Sequence, residues 1–179
     1  MIDQKELNDY FSNVWRHSHL TLNEFNYTGL ALTNKIQETD RVIDIGCGPH
    51  PFKGLIKNLV GIDPAFLEAD YQLSLEDFYS KHSEQKFDVA FCLGSINFGD
   101  ATNIERQIGL VKDLLVDDGR IFWRCNPGLQ DHRNEACKYV SFYPWSFEEH
   151  NRLSQKFGFT IADLKWDLHN RIYAEWNKL

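Results

Sequence analysis

The chain has 179 residues, of which 42% are hydrophobic and 25% charged, so its composition predicts one globular domain over 1–179 with a core of its own. Its net charge of −7, without a dense run of Lys or Arg, disfavours phosphate-driven binding to nucleic acid. No apolar run approaches the roughly 20 residues of a membrane span, and the acidic, polar N-terminus is unlike a signal peptide, which predicts a cytoplasmic protein.

Two helices are predicted ahead of the first strand. Residues 3–16 carry apolar side chains at three- and four-residue spacing, which is the pattern of one buried helix face. A second helical stretch is predicted over about 23–38. We expect residues 1–38 to form a helical cover over the ligand-binding end of a core that spans 41–179.

A strand, a glycine-rich turn and an acid follow in close order. The apolar run at 41–46 predicts a buried parallel strand, and Gly46 and Gly48 then allow the backbone to turn sharply and approach a ligand closely. A second strand, predicted at 59–63, ends on Asp63. In a nucleotide-binding unit, an acid at the tip of the second strand accepts hydrogen bonds from the ribose hydroxyls, and a hydrogen bond to a charged acceptor contributes about 1.5–3 kcal/mol.

The glycine turn differs from that of dinucleotide-binding proteins. Their loop reads G-x-G-x-x-G, in which the third glycine allows close helix packing, whereas the third position here is Pro51. This difference argues against an NAD-linked oxidoreductase. A short helix is predicted at 51–58, a short strand within 67–73 and a helical turn or two within 75–82.

The second half of the chain continues the alternation of strands and helices. Strands are predicted at 87–95 and 120–125, and the helix between them, at 103–116, carries its apolar residues on one face. A polar stretch at 126–143 then follows. Its length is unusual for a loop inside a compact domain and is typical of a functional or mobile segment.

A helix and a hairpin are predicted to close the chain. The helix at 146–157 begins with an S-x-x-E capping box and ends at Gly158. Two strands, at 159–168 and 171–176, are joined by a turn at Asn170, a residue type that tolerates positive φ.

This order of elements defines the expected fold. Alternating strands and helices predict an α/β, doubly wound, mostly parallel sheet with helices on both faces, to which the terminal hairpin adds an antiparallel edge. The four cysteines include no C-x-x-C pair, and Cys92 and Cys125 fall within predicted buried strands. We therefore expect buried free thiols, which are typical of a reducing compartment, and we expect no metal site.

The D-x-G-x-G pattern at 44–48, followed after a short strand by Asp63, resembles the class I (Rossmann-like) S-adenosylmethionine-dependent methyltransferases. The segment 114–121 is similar to the sequence that precedes the fifth strand of that family, although Arg120 stands where the family has its second glycine. The resemblance covers about 41–176 and implies a seven-stranded sheet whose last strand runs against the others. It also implies S-adenosylmethionine as cofactor and S-adenosylhomocysteine as product.

The resemblance implies which residues hold the cofactor. In the family the glycine loop lies against the methionine moiety, the acid after the second strand holds the ribose, and an acid after the third strand receives the adenine amino group. If Ser74 occupies the position of that last acid, the acid is missing; in a shifted register Glu76 or Asp77 supplies it. Asp44 contacts the ligand, caps the glycine loop through backbone N–H groups, or does both. The predicted cofactor-binding residues are Asp44, Gly46, Cys47, Gly48, Asp63, Pro64, Leu75, Glu76, Leu93, Gly94 and Ser95.

Residues on the acceptor side are expected after the fourth and fifth strands. Asn97 follows the fourth strand, in a sequence that lacks the aromatic-Pro-Pro signature of amino-directed DNA and glutamine methyltransferases and has no Pro-Cys nucleophile for cytosine. His132, in the long polar loop, is the first candidate for a general base. The second choice lies in the N-terminal cover, at His17 and His19. Candidates for the wall of an acceptor pocket are Trp15, Tyr143 and Trp145.

Two functions from different classes fit these residues. The leading prediction is a cytoplasmic enzyme that transfers a methyl group from S-adenosylmethionine to a small molecule or a protein side chain, by holding the acceptor in line with the methyl group. The alternative is a non-catalytic module of the same fold that binds the nucleotide or a protein partner as a regulator. The sequence defines neither the acceptor nor the oligomeric state.

Overall fold

Six strands form one sheet at the centre of the described part of the molecule. The structure, a computed structural model, describes residues 4–14, 29–127, 141–167 and 170–179. The strands are β1 (Val42–Ile45), β2 (Leu59–Ile62), β3 (Phe87–Cys92), β4 (Leu115–Cys125), β5 (Phe159–Asp167) and β6 (Arg171–Lys178). They lie in the order β2-β1-β3-β4-β6-β5. The first four strands of this order are parallel, whereas β6 runs antiparallel to both of its neighbours.

Helical segments flank the sheet. They are α1 (Gln4–Asp9), which continues into a π-helical turn (Tyr10–Val14), a 3-10 segment (Leu30–Lys35), α2 (Leu75–His82), α3 (Ala101–Leu114) and α4 (Phe147–Phe157). The last three begin at side-chain caps, because Ser74, Asp100 and Ser146 each accept the backbone N–H three residues further on. α4 ends at Gly158, whose φ of +74° lies in the left-handed region that glycine favours.

Both faces of the sheet are buried against other elements. Successive strand residues point to opposite faces, so Ile43 and Trp123 belong to one apolar cluster and Val42 and Phe122 to the other. The first cluster is completed by α2, α3 and α4, through Leu75, Phe78, Ile104, Ile108 and Leu153. The second is completed by Leu32, Phe52 and Ile56. The predicted mixed α/β sheet with an antiparallel C-terminal hairpin is confirmed.

The predicted count of seven strands is not confirmed, because the described residues form six. The strand expected within 67–73 is reduced to a single bridge between Tyr71 and Ile62. The backbone N–H of Gly61, on the outer side of β2, donates instead to the side chain of Asp70 at 2.9 Å. A carboxylate therefore satisfies part of the edge that a third strand would cover.

The prediction of a short helix at 51–58 is wrong. These residues form a series of turns, with an isolated bridge between Lys53 and Ile56. His50 and Gly54 have φ values of +58° and +82°, which a right-handed helix does not accommodate. The two left-handed residues thus break the segment before a helix can form.

The predicted N-terminal cover is described only in part. α1 and its π-helical turn fall within the helix expected at 3–16, and the 3-10 segment falls within the one expected over 23–38; residues 15–28 lie outside the described residues. The ring of Phe11 meets that of Phe98 edge-on at 5.5 Å, so this segment reaches the loop after β3. None of the helices in the described ranges is long and apolar enough to cross a membrane.

Candidate functional site

The carboxyl ends of β1, β2 and β3 meet at one edge of the sheet, as the ends of neighbouring parallel strands must. The glycine turn after β1 folds back over the end of β2, because the N–H groups of Gly46 and Cys47 both donate to the carbonyl of Ile62, at 2.8 and 3.1 Å. Asp44 lies at the end of β1, and Asp63 follows β2 directly. The structure therefore brings together the predicted glycine turn and both of its acids.

Gly46 satisfies two requirements at once. Its φ of +68° is left-handed, and a Cβ on it would lie 2.5 Å from the Cβ of Ser95, in the loop after β3. Only glycine permits both the turn and this close approach. The hydroxyl of Ser95 is buried and has no hydrogen-bond partner among the described residues, which leaves a polar group available beside the turn.

Asp63 closes the glycine turn from the side of β2. Its carboxylate accepts hydrogen bonds from the N–H of Gly48 at 3.0 Å and from the N–H of Ala65 at 2.8 Å, one on each oxygen. Burial raises the pKa of Asp63, and these backbone hydrogen bonds oppose the rise. Because a carboxylate oxygen has two lone pairs, the side chain can still accept hydrogen bonds from a ligand.

Asp44 is the most unusual group at this edge. It is 3% exposed, and none of the hydrogen bonds among the described residues reaches its carboxylate. Burial and the nearby charge of Asp63 raise the pKa of Asp44 to about 7. The N–H of Gly48 in this loop is capped by Asp63, and the predicted contact of Asp44 with a ligand stays a prediction. A buried carboxylate without a partner is costly, and such groups concentrate at functional sites.

Cys47, between the two glycines of the turn, is not set up as a nucleophile. The thiol is buried and lies 3.7 Å from the carbonyl of Gly48. Burial and the charge of Asp44 raise the pKa of Cys47 far above its ordinary value, so the thiolate is scarce at neutral pH. The three described cysteines, Cys47, Cys92 and Cys125, are all buried and free, as predicted; Cys137 lies outside the described residues.

A clamp between His50 and Asp70 stands behind the glycine turn and was missed by the sequence analysis. The Nε2 of His50 lies 2.8 Å from Asp70, whose carboxylate also accepts from the N–H of Gly61 and from Lys53. Burial opposes ionisation, but the hydrogen bonds from Lys53, Gly61 and His50 outweigh it and lower the pKa of Asp70 to about 2. The signal in the sequence was Gly61 itself, because a glycine inside a strand often marks the close approach of another group.

The His50 ring packs directly on the backbone of β2. A Cβ on Gly61 would lie 2.5 Å from Cε1 and Nε2 of His50 and 2.9 Å from the sulfur of Cys47. The clamp thus fixes the residues just beyond Gly48 to the outer edge of the sheet. The Nδ1 atom of His50 is buried, and no described residue forms a hydrogen bond with it.

The segment predicted to contact adenine begins α2. Leu75 is buried in the core, and the hydroxyl of Ser74 donates to the carboxylate of Asp77 at 2.9 Å while accepting its N–H. The carboxylate of Glu76 lies 2.6 Å from Arg106 of α3. Both acids therefore have partners within the protein, and their predicted contact with adenine stays a prediction.

Asn97 joins three segments at the end of the sheet. Its Oδ1 accepts the N–H of Asn126, after β4, at 3.2 Å, and its carbonyl accepts the N–H of Tyr143 at 2.8 Å. Its Nδ2 lies 3.9 Å from where a Cβ on Gly94 would be, so the amide faces the turn after β3. The side chain is buried, and its described contacts are those of a positioning residue.

The remaining acceptor-side candidates divide between described and undescribed parts of the chain. Tyr143 and Trp145 are buried, and the indole N–H of Trp145 donates to the carbonyl of Ile96 at 2.9 Å, so both pack into the core. A chain of rings runs along the same end of the molecule, from Phe11 to Phe98 and on to Phe142 at 5.1 Å. The candidates that lie outside the described residues are His17, His19, Trp15 and His132.

One surface cleft of the described residues lies behind the glycine turn rather than at the strand ends. It has a volume of about 290 Å³ and is on the outer side of β2, lined by His50, Lys53, Gly54, Ile56, Lys57, Leu59 and Asp70. The chemistry of the strand ends, rather than the size of a cleft, therefore identifies the site. Within the described part of the chain, no group of three His, Cys, Asp or Glu side chains is placed to hold a metal ion.

The strand order, the reversed β6 and the glycine turn after β1 together define the fold of the class I S-adenosylmethionine-dependent methyltransferases. The 1,6-didemethyltoxoflavin-N1-methyltransferase of Burkholderia thailandensis, solved with S-adenosylhomocysteine, has a TM-score of 0.71 at 13% identity, over 98% of this chain and 88% of that one. The magnesium protoporphyrin IX methyltransferase of Synechocystis, solved with S-adenosylmethionine, has a TM-score of 0.63 at 14% identity, over 100% and 98%.

The likeness to known proteins is one of fold. The pyocyanin biosynthetic protein PhzM also matches, with a TM-score of 0.57 at 10% identity, over 83% of this chain but only 53% of its own. The chain thus spans about half the length of some neighbours and nearly all of others. No protein-family model matches the sequence, and no curated protein sequence does.

Proposed function

We propose that this protein is a methyltransferase that uses S-adenosylmethionine as its methyl donor. The observation that carries the proposal is the pair of acids at the strand ends, where Asp44 is buried without a hydrogen bond from any described residue and Asp63 closes the glycine turn. The known structures with the same fold and bound S-adenosylmethionine or S-adenosylhomocysteine support it.

The residues of the site fit this cofactor. S-adenosylmethionine carries an ammonium and a sulfonium group. Burial and Asp63 raise the pKa of Asp44 to about 7, and a bound cation beside this carboxylate would stabilise its ionised form. The free lone pairs of Asp63 suit ribose hydroxyls, and Gly46, which has no side chain, leaves room for close approach. The proposed cofactor set is completed by residues that follow the same strand ends or begin α2, namely Cys47, Gly48, Pro64, Leu75, Glu76, Leu93, Gly94 and Ser95.

When bound, the cofactor supplies an electrophilic methyl group on its sulfonium sulfur. The residues of this chain then have three tasks, which are to hold the cofactor, to orient an acceptor and to exclude water. Asn97 fixes the loops after β3 and β4 relative to each other. We propose His132 as the group that removes a proton where the acceptor carries one.

A small molecule is the acceptor class that we favour over a protein side chain. Two of the neighbours are named for small molecules, 1,6-didemethyltoxoflavin and magnesium protoporphyrin IX. The aromatic chain from Phe11 through Phe98 to Phe142 gives the corresponding end of this protein an apolar character. The buried free thiols support a reducing, cytoplasmic location.

Transfer of a labelled methyl group tests this function. The protein is incubated with S-adenosylmethionine carrying a labelled methyl group and with cell extract, and the small-molecule and protein fractions are then separated. We expect label in the small-molecule fraction with the wild-type protein and at least tenfold less with Asp44→Asn. Label in the protein fraction alone would overturn the preference for a small acceptor.

A non-catalytic regulator of the same fold is the second candidate. It is favoured by the departures near the cofactor turn, namely the turns in place of a helix at 51–58 and the loss of the strand within 67–73. Binding of S-adenosylhomocysteine without transfer to any extract component would support this reading. The NAD-linked alternative is weakened further, because no helix N-terminus follows the glycine turn to receive a pyrophosphate.

A further inference from the structure

The outer edge of β5 is open on the described part of the molecule. β5 is the last strand in the sheet order, and β6 is its one partner there. The edge is nine residues long and carries Trp166, which is 60% exposed. An exposed strand edge presents unpaired N–H and C=O groups, which makes it a template for another strand.

The backbone groups at this edge can be assigned from the ladder. The N–H of Leu179 donates to the carbonyl of Gly158, so the odd-numbered residues of β6 face β5. Their partners beyond the bulge, Asp163 and Lys165, therefore use their N–H and C=O groups within the sheet. Leu164 and Trp166, which alternate with them, direct theirs to the open edge.

The side chains of this edge are complementary to themselves. If a second β5 pairs antiparallel with Leu164 opposite its own copy, Asp163 lies opposite Lys165 on both sides of the twofold axis. Within one chain these two side chains already form an ion pair of 2.5 Å. Opposite charges directly across two strands are stabilising, whereas a shift of the axis to Asp163 or Lys165 would place like charges together.

The other face of the same pairing is apolar. Trp166 lies on the α4 side, where its ring is 5.3 Å from that of Phe147. In the register centred on Leu164, this large side chain falls opposite Ala162 of the second copy, a small residue at the bulge. Pairing would therefore bury Trp166 of each copy against Ala162 of the other.

We propose that two copies of this chain associate through β5, in an antiparallel register centred on Leu164, to form one continuous sheet. Lysines and bulges on edge strands also serve to prevent pairing. Here the charge of Lys165 is matched by Asp163, and the bulge limits the paired segment to about Ala162–Trp166. The occupant of the edge is a second copy of the chain, since the charge pattern complements itself.

A charge-swap experiment tests the interface. Sedimentation velocity should give the wild-type chain twice its monomer mass, and Asp163→Lys and Lys165→Asp should each sediment as monomers. An equimolar mixture of the two variants should recover the dimer, because every cross-strand pair is then again of opposite charge. Each variant lacks its own internal ion pair, so recovery on mixing can come only from contact between copies. Leu164→Pro, which removes an edge N–H, should remain folded and monomeric.

Hydrogen exchange of the wild-type protein gives a second measurement that needs no variant. The amides of Leu164 and Trp166 should exchange more slowly as the protein concentration rises, while those of Asp163 and Lys165, already bonded to β6, should not change. A wild-type chain that stays monomeric up to about 100 µM would overturn the proposal. So would a dimer that persists in both charge variants and in Leu164→Pro.

Discussion

At the scale of single residues, Asp44 links stability to function. Its carboxylate is buried and accepts no hydrogen bond from the residues that the structure describes, so keeping it ionised costs free energy. The folded-state pKa of about 7 lies above the ordinary value of 3.8, so the folded protein binds a proton more tightly than the unfolded chain does. The stability that this group contributes is therefore complete below about pH 4 and is lost as the pH rises through about 7.

Asp44→Asn should raise the free energy of unfolding and at the same time reduce methyl transfer. At pH 8 we expect the variant to be more stable than the wild type by about 2–4 kcal/mol, because it removes the buried charge. The difference should disappear toward pH 4, where both side chains are neutral. Denaturant unfolding at the two pH values measures this. A variant that is less stable than the wild type at pH 8 would show that the carboxylate has a partner that stabilises it.

The close packing of His50 on Gly61 can be tested by substitution. Gly61→Ala would place a methyl group 2.5 Å from the ring of His50, and overpacking of this kind costs about 1–3 kcal/mol. Adding His50→Ala should recover part of the loss, because the ring that causes the clash is gone. If the double variant were as unstable as the sum of the single changes, the two residues would not be coupled.

Among the elements that the structure describes, β2 has no neighbouring strand on its outer edge, and the side chain of Asp70 binds part of that edge. The pKa of about 2 lies below the ordinary value of 3.8, so the stability from this carboxylate is present above about pH 4 and is lost as the pH falls through about 2. The carboxylate also accepts the N–H of Gly61, which connects the loop of residues 64–71 to the sheet.

Asp70→Ala should release this edge locally. The N–H of Gly61 loses its acceptor, which costs about 1–3 kcal/mol, and we expect its hydrogen exchange to accelerate at least tenfold. Glu68→Ala, an exposed position in the same loop, is the matched control and should leave the exchange unchanged. Equal exchange rates at Gly61 in both variants would show that another group holds the edge.

The elements that the sequence predicts correctly are those set by local pattern. β1, β2, β3, α4 and the C-terminal hairpin follow from apolar runs, a capping box and turn residues, and Asp44, Gly46 and Asp63 meet because parallel strands end at one edge. The predicted helix at 51–58 fails because the left-handed conformation of His50 is associated with contacts to Gly61 and Asp70, which are distant in sequence. The strand expected within 67–73 fails because the side chain of Asp70 binds the edge of β2 there, and a single side chain leaves no periodic pattern in the sequence.

At the scale of the whole molecule, a buried histidine should govern stability in acid. His150 is fully buried among Trp123, Trp145 and Trp176, and neither of its ring nitrogens has a hydrogen-bond partner in the described ranges. Burial lowers the pKa of His150 to about 3, whereas the unfolded side chain titrates near 6.5. The unfolded chain therefore binds the proton first, and stability falls as the pH drops below about 6.5.

Replacing His150 with an apolar ring should remove this acid sensitivity. At pH 5 we expect His150→Phe to gain about 2 kcal/mol relative to the wild type, beyond any difference that the two proteins show at pH 8. Tryptophan fluorescence follows the unfolding directly, since three indoles surround the site. A stability difference that is the same at both pH values would mean that His150 does not titrate on unfolding.

Calorimetric titration with S-adenosylhomocysteine measures whether Asp44, Asp63 and the glycine turn form a cofactor site. We expect the wild-type protein to bind in the micromolar range, Asp63→Ala to bind at least tenfold more weakly, and NADH to show no binding. Asp118→Asn, a surface acid on β4, should bind as the wild type does. A folded wild-type protein that does not bind S-adenosylhomocysteine would show that the glycine turn and its two acids are not a site for this cofactor.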